Sequence, residues 1–385
     1  MRTSLFFVLV LLSVFSLAQE TRKMKVTDAQ DGSPVAGARL ICRGHVLYTN
    51  DDGEVLVPEN SVNMQITSSR YQTAALKTFQ ENVALQPLYQ NIESVAIRSV
   101  DIKKLFQQVM KNYTDLYDTS CALYDMTFRQ KSYENDSLRL LMIADGKFWT
   151  RDGLYNARDA FRNRYSDFVQ LQADHIRYLK NEGNRNPIRP RKQDYSKDYV
   201  GDMFFNYELS RMIRRTKMKN AVSAGKILYE NGDSQYIYFT VKTHENLIYK
   251  GYITYNTNDG AISYFEMTFD QNGYRPYKLK DENGTEYEYQ LPSGTLIFDF
   301  YKQDGKYVPT KISVQGDGTK YLTHEGNFEY RMAREMILRN FRKAEKKGLE
   351  QPVDIIKAFW TSMKVSEDKG YVLLSEEEKK FISEN

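Results

Sequence analysis

The residues best equipped for chemistry are few and scattered. Four histidines, His45, His175, His244 and His324, could ligate a metal or carry protons near neutral pH. A zinc site needs such ligands at spacings that bring them to one turn or one helical face. His244-Glu245 has no second histidine one helical turn away. His45 leads into Val46-Leu47-Tyr48 and His175 into Ile176-Arg177-Tyr178, so neither opens a His-x-x-Glu pair. No Gly-x-Ser-x-Gly elbow offers a hydrolase nucleophile, and Gly316-Asp317-Gly318 reads as a hairpin turn, not a phosphate cradle. Glu286 and Glu288 share one face of a predicted strand, with Tyr287 opposite; such a pair is raw material for a glycosidase, and more often simply solvated. Asp51, Asp52 and Glu54 lack the spaced oxygen series of an EF-hand and read as a turn. These residues predict a non-catalytic chain with no cofactor and no metal.

The elements around them are mostly strands. Twenty-nine tyrosines and twenty phenylalanines in 385 residues favour pleated, half-buried surfaces. The N-terminus has the plan of a secretory signal, with Arg2, an apolar run over Leu5–Leu12, and Ser16-Leu17-Ala18 at the cleavage position. Leu5 to Leu17 is too short for a transmembrane helix, which takes about 20 apolar residues. Residues 1–18 are therefore read as a signal peptide. The expected product has 385 − 18 = 367 residues, is exported to the periplasm, outer membrane or cell surface, and has no later spanning segment. Without Arg2 the balance is 54 − 1 = 53 Lys and Arg against 50 Asp and Glu, a net +3. Near-neutrality argues against a nucleic-acid partner, which would demand a basic face. Lipid or another envelope protein is the expected partner. Cys42 and Cys121 could bridge two modules in an exported chain; two separate thiols is the preferred reading, because nothing local brings them together.

The expected fold is mainly β. Residues 19–90 read as a β-sandwich with strands near Met24–Thr27, Ala38–Arg43, Val46–Thr49, Glu54–Val57, Val62–Thr67, Thr73–Thr78 and Val83–Leu85, punctuated by Asp31-Gly32 and Asp51-Asp52-Gly53. Gly32, Pro34, Val35, Gly37 and Ala38, then Thr49, Asp52, Gly53 and Pro58, resemble the carboxypeptidase-regulatory-like domain of Bacteroidetes-type envelope proteins. The resemblance implies a transthyretin-like sandwich without catalysis of its own. Ser69-Arg70-Tyr71 departs from it, where that family usually has Gly-Tyr.

A linker, residues 91–100, leads to a second domain at 101–348. Asp101 caps a predicted helix to Tyr117, with Ile102, Leu105, Phe106, Val109, Tyr113 and Leu116 on one face. The period then becomes two. Asn231-Gly232, Asn258-Asp259-Gly260, Asn272-Gly273, Asn283-Gly284, Asp304-Gly305 and Asp317-Gly318 mark successive hairpins, giving a large antiparallel meander with covering helices. A basic insertion at 154–220 is expected to hold a helix over Phe168–Leu179. A second amphipathic helix is predicted over Phe328–Lys347, and a helical tail over 349–385 that frays from Glu376. Tyr236–Phe269 is similar in pattern to the half-barrel of periplasmic lipoprotein carriers, which implies a sheet open to an apolar ligand.

Two sets of side chains are candidates for binding. Phe106, Val109 and Tyr113 from the helix, with Tyr238, Ile253 and Phe265 from the strands, would line an apolar space, or would fill an ordinary core. Arg185, Arg189, Arg191, Lys192, Arg211, Arg214 and Arg215 would form a patch for an anionic partner, or a solvated surface. The alternative to ligand binding is a surface interaction or glycan-binding module in which Trp149, Tyr252 and Tyr255 stack on a partner.

Overall fold

The computed structural model describes residues 21–88, 98–156, 164–183, 185–186, 188, 200–243, 247–324, 326–355, 357–369 and 372–384. The predicted signal peptide, His244 and three members of the basic set, Arg189, Arg191 and Lys192, lie outside them. The fold is mainly β. It divides into two units, one running to Asn91 and including Leu373–Ser383, the other spanning Ile92–Val372 with Glu384–Asn385.

In the first unit, β1 (Thr21–Asp28), β4 (Glu54–Pro58) and β7 (Asn82–Leu85) form one sheet in the order β4-β1-β7. β2 (Arg39–Cys42), β3 (His45–Tyr48), β5 (Met64–Thr67) and β6 (Ala74–Leu76) form the other, in the order β3-β2-β5-β6. Alternate residues of these strands, among them Met24, Val26, Leu40, Val57, Ile66 and Leu85, make a single apolar core. Period-two strands with one dry face can only stack this way. Gly53, at φ 72°, closes the turn into β4 where a Cβ would stand 2.3 Å from the Val26 carbonyl oxygen. Tyr71, in the tripeptide that departs from the family pattern, donates to Asp28 Oδ2 at 3.0 Å. Burial, and then this bond to a carboxylate, push its phenol up to about 12.

Residues from Glu376, expected to fray, instead form a helix over Glu376–Ser383 that belongs to this first unit. Ser375 and Glu378 make a reciprocal cap: Ser375 N donates to Glu378 Oε2 at 2.9 Å, and Glu378 N to Ser375 Oγ at 3.3 Å. The Asn50–Gly53 turn adds two further ties. Asp52 Oδ2 accepts from Glu376 N at 2.7 Å, and Asn50 Nδ2 donates to the Leu374 carbonyl at 3.3 Å. Leu374 and Phe381 are buried there. The acidic turn read as lacking calcium ligands thus accepts from a helix N-terminus, where negative charge is favoured.

The second unit is built on one antiparallel sheet. Its strands are β8 (Ser99–Val100), β9 (Ala122–Glu134), β10 (Ser137–Thr150), β11 (Val169–Asn181), β12 (Val222–Asn231), β13 (Ser234–Lys242), β14 (Ile248–Asn256), β15 (Ile262–Asp270), β16 (Tyr277–Lys280), β17 (Glu286–Gln290), β18 (Gly294–Gln303), β19 (Lys306–Thr323) and β20 (Gly326–Lys343). The order is β11-β10-β9-β20-β19-β18-β15-β14-β13-β12-β8, and the β16–β17 hairpin branches from the end of β19. Among the described residues β11 and β8 do not pair, so the sheet stays open. Helices α1 (Ile102–Lys111), α2 (Tyr113–Leu116) and α3 (Phe205–Thr216) pack against its inner face. Asp101 caps α1 as expected, accepting from Lys104 N at 3.0 Å.

Asn272-Gly273, expected to close a hairpin, instead joins β15 to β16, which do not pair with each other, and three further expectations fail at strand irregularities. The helix expected over Phe168–Leu179 is β11. Two register shifts against β10, at Ile143/Ala144 and Asp145/Gly146, change which residues point inward. Phe168, Leu171, Ile176 and the half-buried Leu179 all reach the core, at intervals of three, five and three that imitate a helix. The helix expected over Phe328–Lys347 is β20, paired with both β19 and β9. Met332 and Met336 are four apart and share a face under either period. An irregularity at Arg339/Arg342, with Asn340 at φ 52°, then returns Phe341 to pack 5.5 Å from Tyr124. Asp317-Gly318 is a bulge within β19, not a hairpin: the register against β20 shifts between Gly316 and Thr319. The helical tail is also shorter than expected. Around Ile355 and Trp360 the chain makes a bridge from Val353 to Leu171 and one 3₁₀ turn, Phe359–Ser362.

Candidate ligand-binding face

Five of the six residues chosen for an apolar space face one another between helices and sheet. Phe106, Val109, Tyr113, Ile253 and Phe265 are all buried in one core. Phe106 meets Phe239 edge-on at 5.5 Å and Phe265 at 6.3 Å. Tyr238 does not join them. Its neighbours Ile237 and Phe239 take the inward positions of β13, and Tyr238 lies on the outer face against Tyr252 at 5.4 Å. A strand alternates faces at every residue, and the expectation was out of phase by one.

The helices are fastened from below. Tyr117, just after α2, donates its hydroxyl to the Ile262 carbonyl at 2.8 Å and accepts from Ile262 N at 3.0 Å. Burial holds the Tyr113 and Tyr117 phenols above the ordinary tyrosine range. Beside them opens a cavity of about 40 Å³, lined by Tyr113, Tyr117, Asp118, Tyr124, Phe205 and Phe300 among others. A water needs roughly 10–15 Å³ of such space, and a benzene-binding cavity measures about 150 Å³. This one is sized for water.

The basic set separates as well. Glu208, 1% exposed, accepts from Arg215 at 2.8 Å and lies 3.2 Å from Arg211, which also reaches Asp202 at 2.8 Å. The Arg215 guanidinium lies 3.9 Å over the Tyr249 ring. These two arginines hold α3 in place; of this group Arg214 and, on its own loop, Arg185 are exposed. The Arg185 and Asn186 amides donate to Glu134, as does the Tyr330 hydroxyl at 2.8 Å. Burial alone would raise the Glu134 carboxyl, but Tyr330, the two amides and Arg139 outweigh it and hold it below the usual glutamate range. Among the stacking candidates, Trp149 is buried and donates to the Glu345 carbonyl at 3.0 Å, while Tyr252 and Tyr255 are half-buried. Cys42 and Cys121 are free thiols. His45, His175 and His324 are exposed. Among the described residues no three His, Cys, Asp or Glu side chains could hold a metal ion, and no helix is long and apolar enough to cross a membrane.

The feature that sequence reasoning missed lies where the helices end. The inward register of β20 continues through Tyr330 and Phe328 to Tyr321 on β19, then Tyr289 on β17 and Tyr277 on β16. Tyr287 and Leu279 share that face. The rings touch at 5.6–5.7 Å and tilt against one another by 36°, 66° and 88°. At the outer end Tyr277 is 49% and Leu279 38% exposed. Around the end of this hairpin an open trough of about 860 Å³ is lined from both faces, by Leu279 and Tyr287 on one and by Lys278, Lys280, Glu286, Glu288 and Leu322, which the register turns to the other. Ligand pockets typically measure about 300–1,000 Å³. The signal for it was present in the alternation of Tyr277-Lys278-Leu279-Lys280 against Glu286-Tyr287-Glu288-Tyr289. What the alternation cannot tell is that, among the described residues, no helix covers the apolar side.

No protein-family model matches the chain, and no curated protein matches it. Two solved structures show a faint likeness. One, a structure of lipid–protein interactions in lipovitellin, has a TM-score of 0.24 and 9% identity, covering 60% of this chain. The chain spans about a quarter, 27%, of that lipovitellin chain. The other, from Bacteroides fragilis NCTC 9343, is of unknown function and described provisionally as membrane-associated. It has a TM-score of 0.14 and 9% identity, covering 83% of this chain and 98% of that one. Superpositions this loose carry no argument about fold or ligand.

Proposed function

We propose that this is an exported, non-catalytic envelope protein whose first unit is a regulatory-like sandwich and whose second unit binds an apolar or amphiphilic ligand on the inner face of its sheet. The observation that supports the binding role is the aromatic strip of Tyr330, Phe328, Tyr321, Tyr289 and Tyr277, which extends the inner register of the sheet beyond its covering helices. Beneath the helices the same face is filled by Phe106, Phe239 and Phe265, so the uncovered end is where a ligand fits. The signal pattern ending at Ala18 supports export. A glycan-binding role has less to recommend it. Sugar rings stack on exposed flat faces, whereas Trp149 is buried and Tyr321 meets Tyr289 and Tyr330 edge-on.

Protein recovered from its own host tests the proposal. Its sequence should begin at Gln19, and native mass spectrometry should show a bound mass that organic extraction removes as lipid. A clean apo mass together with binding on a glycan array would reject it.

A further inference from the structure

We propose that the corner of the sheet where β12 begins and β13 turns into β14 is a docking surface for a bilayer rich in anionic phospholipid. This corner lies on the outer face of the sheet, away from the aromatic strip, and does not depend on what that strip binds. The register sets Val222 opposite Lys242 and Lys242 opposite Ile248, so the three share one face. Two residues further along each strand, Ala224, Thr240 and Lys250 form the next row of that face. It is the outer face, because the intervening Val241 and Tyr249 are buried in the core beneath the helices. Val222 is 66% and Ile248 38% exposed. Lys242 and Lys250 are exposed beside them, and Lys217 and Lys219 are exposed on the turn that leads from α3 into Val222.

Positive charge and exposed apolar surface coincide at this corner, and their combination selects the partner. None of the four lysines has an ion partner among the described residues, in contrast to Lys311, which sits against Glu335. Asp270 stands opposite Ile248 at the end of the row. It is half-buried and already accepts from Asn272 N at 2.9 Å and Ser293 Oγ at 3.4 Å. A valine and an isoleucine offer too little apolar area to hold a protein on a neutral membrane, and lysines alone would serve any polyanion. Together they match the boundary of an anionic leaflet, where ammonium groups reach phosphates and the apolar side chains enter the acyl region. A nucleic acid or a sulfated glycan would leave Val222 and Ile248 in water. A second copy set on the same patch would bring lysine against lysine, and like charges so placed oppose association.

Full-length protein is co-sedimented with vesicles of phosphatidylcholine alone and with vesicles one-third phosphatidylglycerol, in about 0.1 M salt, where charges act over about 10 Å. Binding to the anionic vesicles should be at least about tenfold tighter and should weaken as salt rises. Lys242→Gln with Lys250→Gln should weaken it about 25-fold, since each lysine near an anionic leaflet strengthens binding about fivefold. Val222→Ser should weaken it at least about threefold. Val222→Trp should strengthen it, and its fluorescence should shift to the blue when anionic vesicles are added. The native Trp149 and Trp360 are buried and should give no such shift. All three variants alter exposed side chains, and an unchanged thermal midpoint confirms that they fold. Equal affinity for the two kinds of vesicle, binding to neither, indifference to the lysine variant, or no shift from Val222→Trp overturns the proposal. Binding to soluble heparin that displaces the vesicles and ignores Val222→Ser would mark a polyanion site and equally reject it.

Discussion

Two stretches of the same sheet face carry the same kinds of side chain and meet different fates. Under α1 and α3, Phe239, Phe265 and Phe298 are each at most 1% exposed and packed ring against ring. On the β16–β17 branch, Tyr277, Leu279 and Tyr289 occupy equivalent inward positions and remain open or half-open to water. Composition and alternation do not separate the two regions. The difference is made by helices that come from distant parts of the sequence and stop short of the branch. An aromatic strand becomes core or binding surface according to what arrives to cover it.

The sharpest way to break this contrast is to truncate one side chain in each region. Phe106→Ala should cost roughly 3–5 kcal/mol, because a fully buried ring leaves a void that packed neighbours cannot close. Leu279→Ser should change stability by about 0.5 kcal/mol or less. Chemical denaturation of both variants measures the two costs. Comparable losses would mean that the branch is as much core as the helix-covered face.

Glu134 stands at the boundary between them, bound to Tyr330 of the aromatic strip. Glu134→Gln should destabilise by about 2–3 kcal/mol at neutral pH, since it removes charge-assisted bonds and sets an amide donor against two backbone donors. The native carboxyl titrates below the ordinary glutamate value, so its contribution is fully present above about pH 4.3. It is lost as pH falls through the lower native value. Unfolding curves of wild type and variant should therefore converge in acid. A gap that stays constant down to pH 2 would show that shape, not charge, accounts for the loss.

The smallest effect belongs to the first unit. Ser375→Ala removes one half of a helix cap and should cost about 1 kcal/mol. Hydrogen exchange should report the loss at Glu376–Ser383 and at the Asn50–Gly53 turn together. Exchange that rises in the helix alone would mean that the turn does not depend on it.

Much of the architecture was legible in the residues. Asp-Gly and Asn-Gly pairs at 231–232, 259–260, 283–284 and 304–305 each close a hairpin, because positive φ at those positions admits few alternatives. Asp101 announced α1. What misled was irregularity: each bulge moves the inward phase by one residue, and a strand with shifted phase copies helical spacing in β11 and β20. Tyr238 was misplaced without any bulge: β13 is regular, and the expectation took the wrong one of its two alternating faces. Arg211 and Arg215 looked like a surface because Glu208, which neutralises them, lies within the same helix at a spacing that only a formed helix brings together. The uncovered aromatic strip was illegible for a different reason, since it depends on where the described helices end.

The helix Glu376–Ser383 belongs with strands near the other end of the sequence, and this has a consequence in time. Some 373 − 91 = 282 residues separate the end of the sandwich segment from the piece that completes it. Chains are made at about 5–20 residues per second, so the sandwich emerges roughly 14–56 s before its helix exists. Throughout that interval the Asn50–Gly53 turn and the surface later covered by Leu374 and Phe381 are bare. A chaperone or a neighbouring nascent chain has that window, and no longer, in which to occupy them.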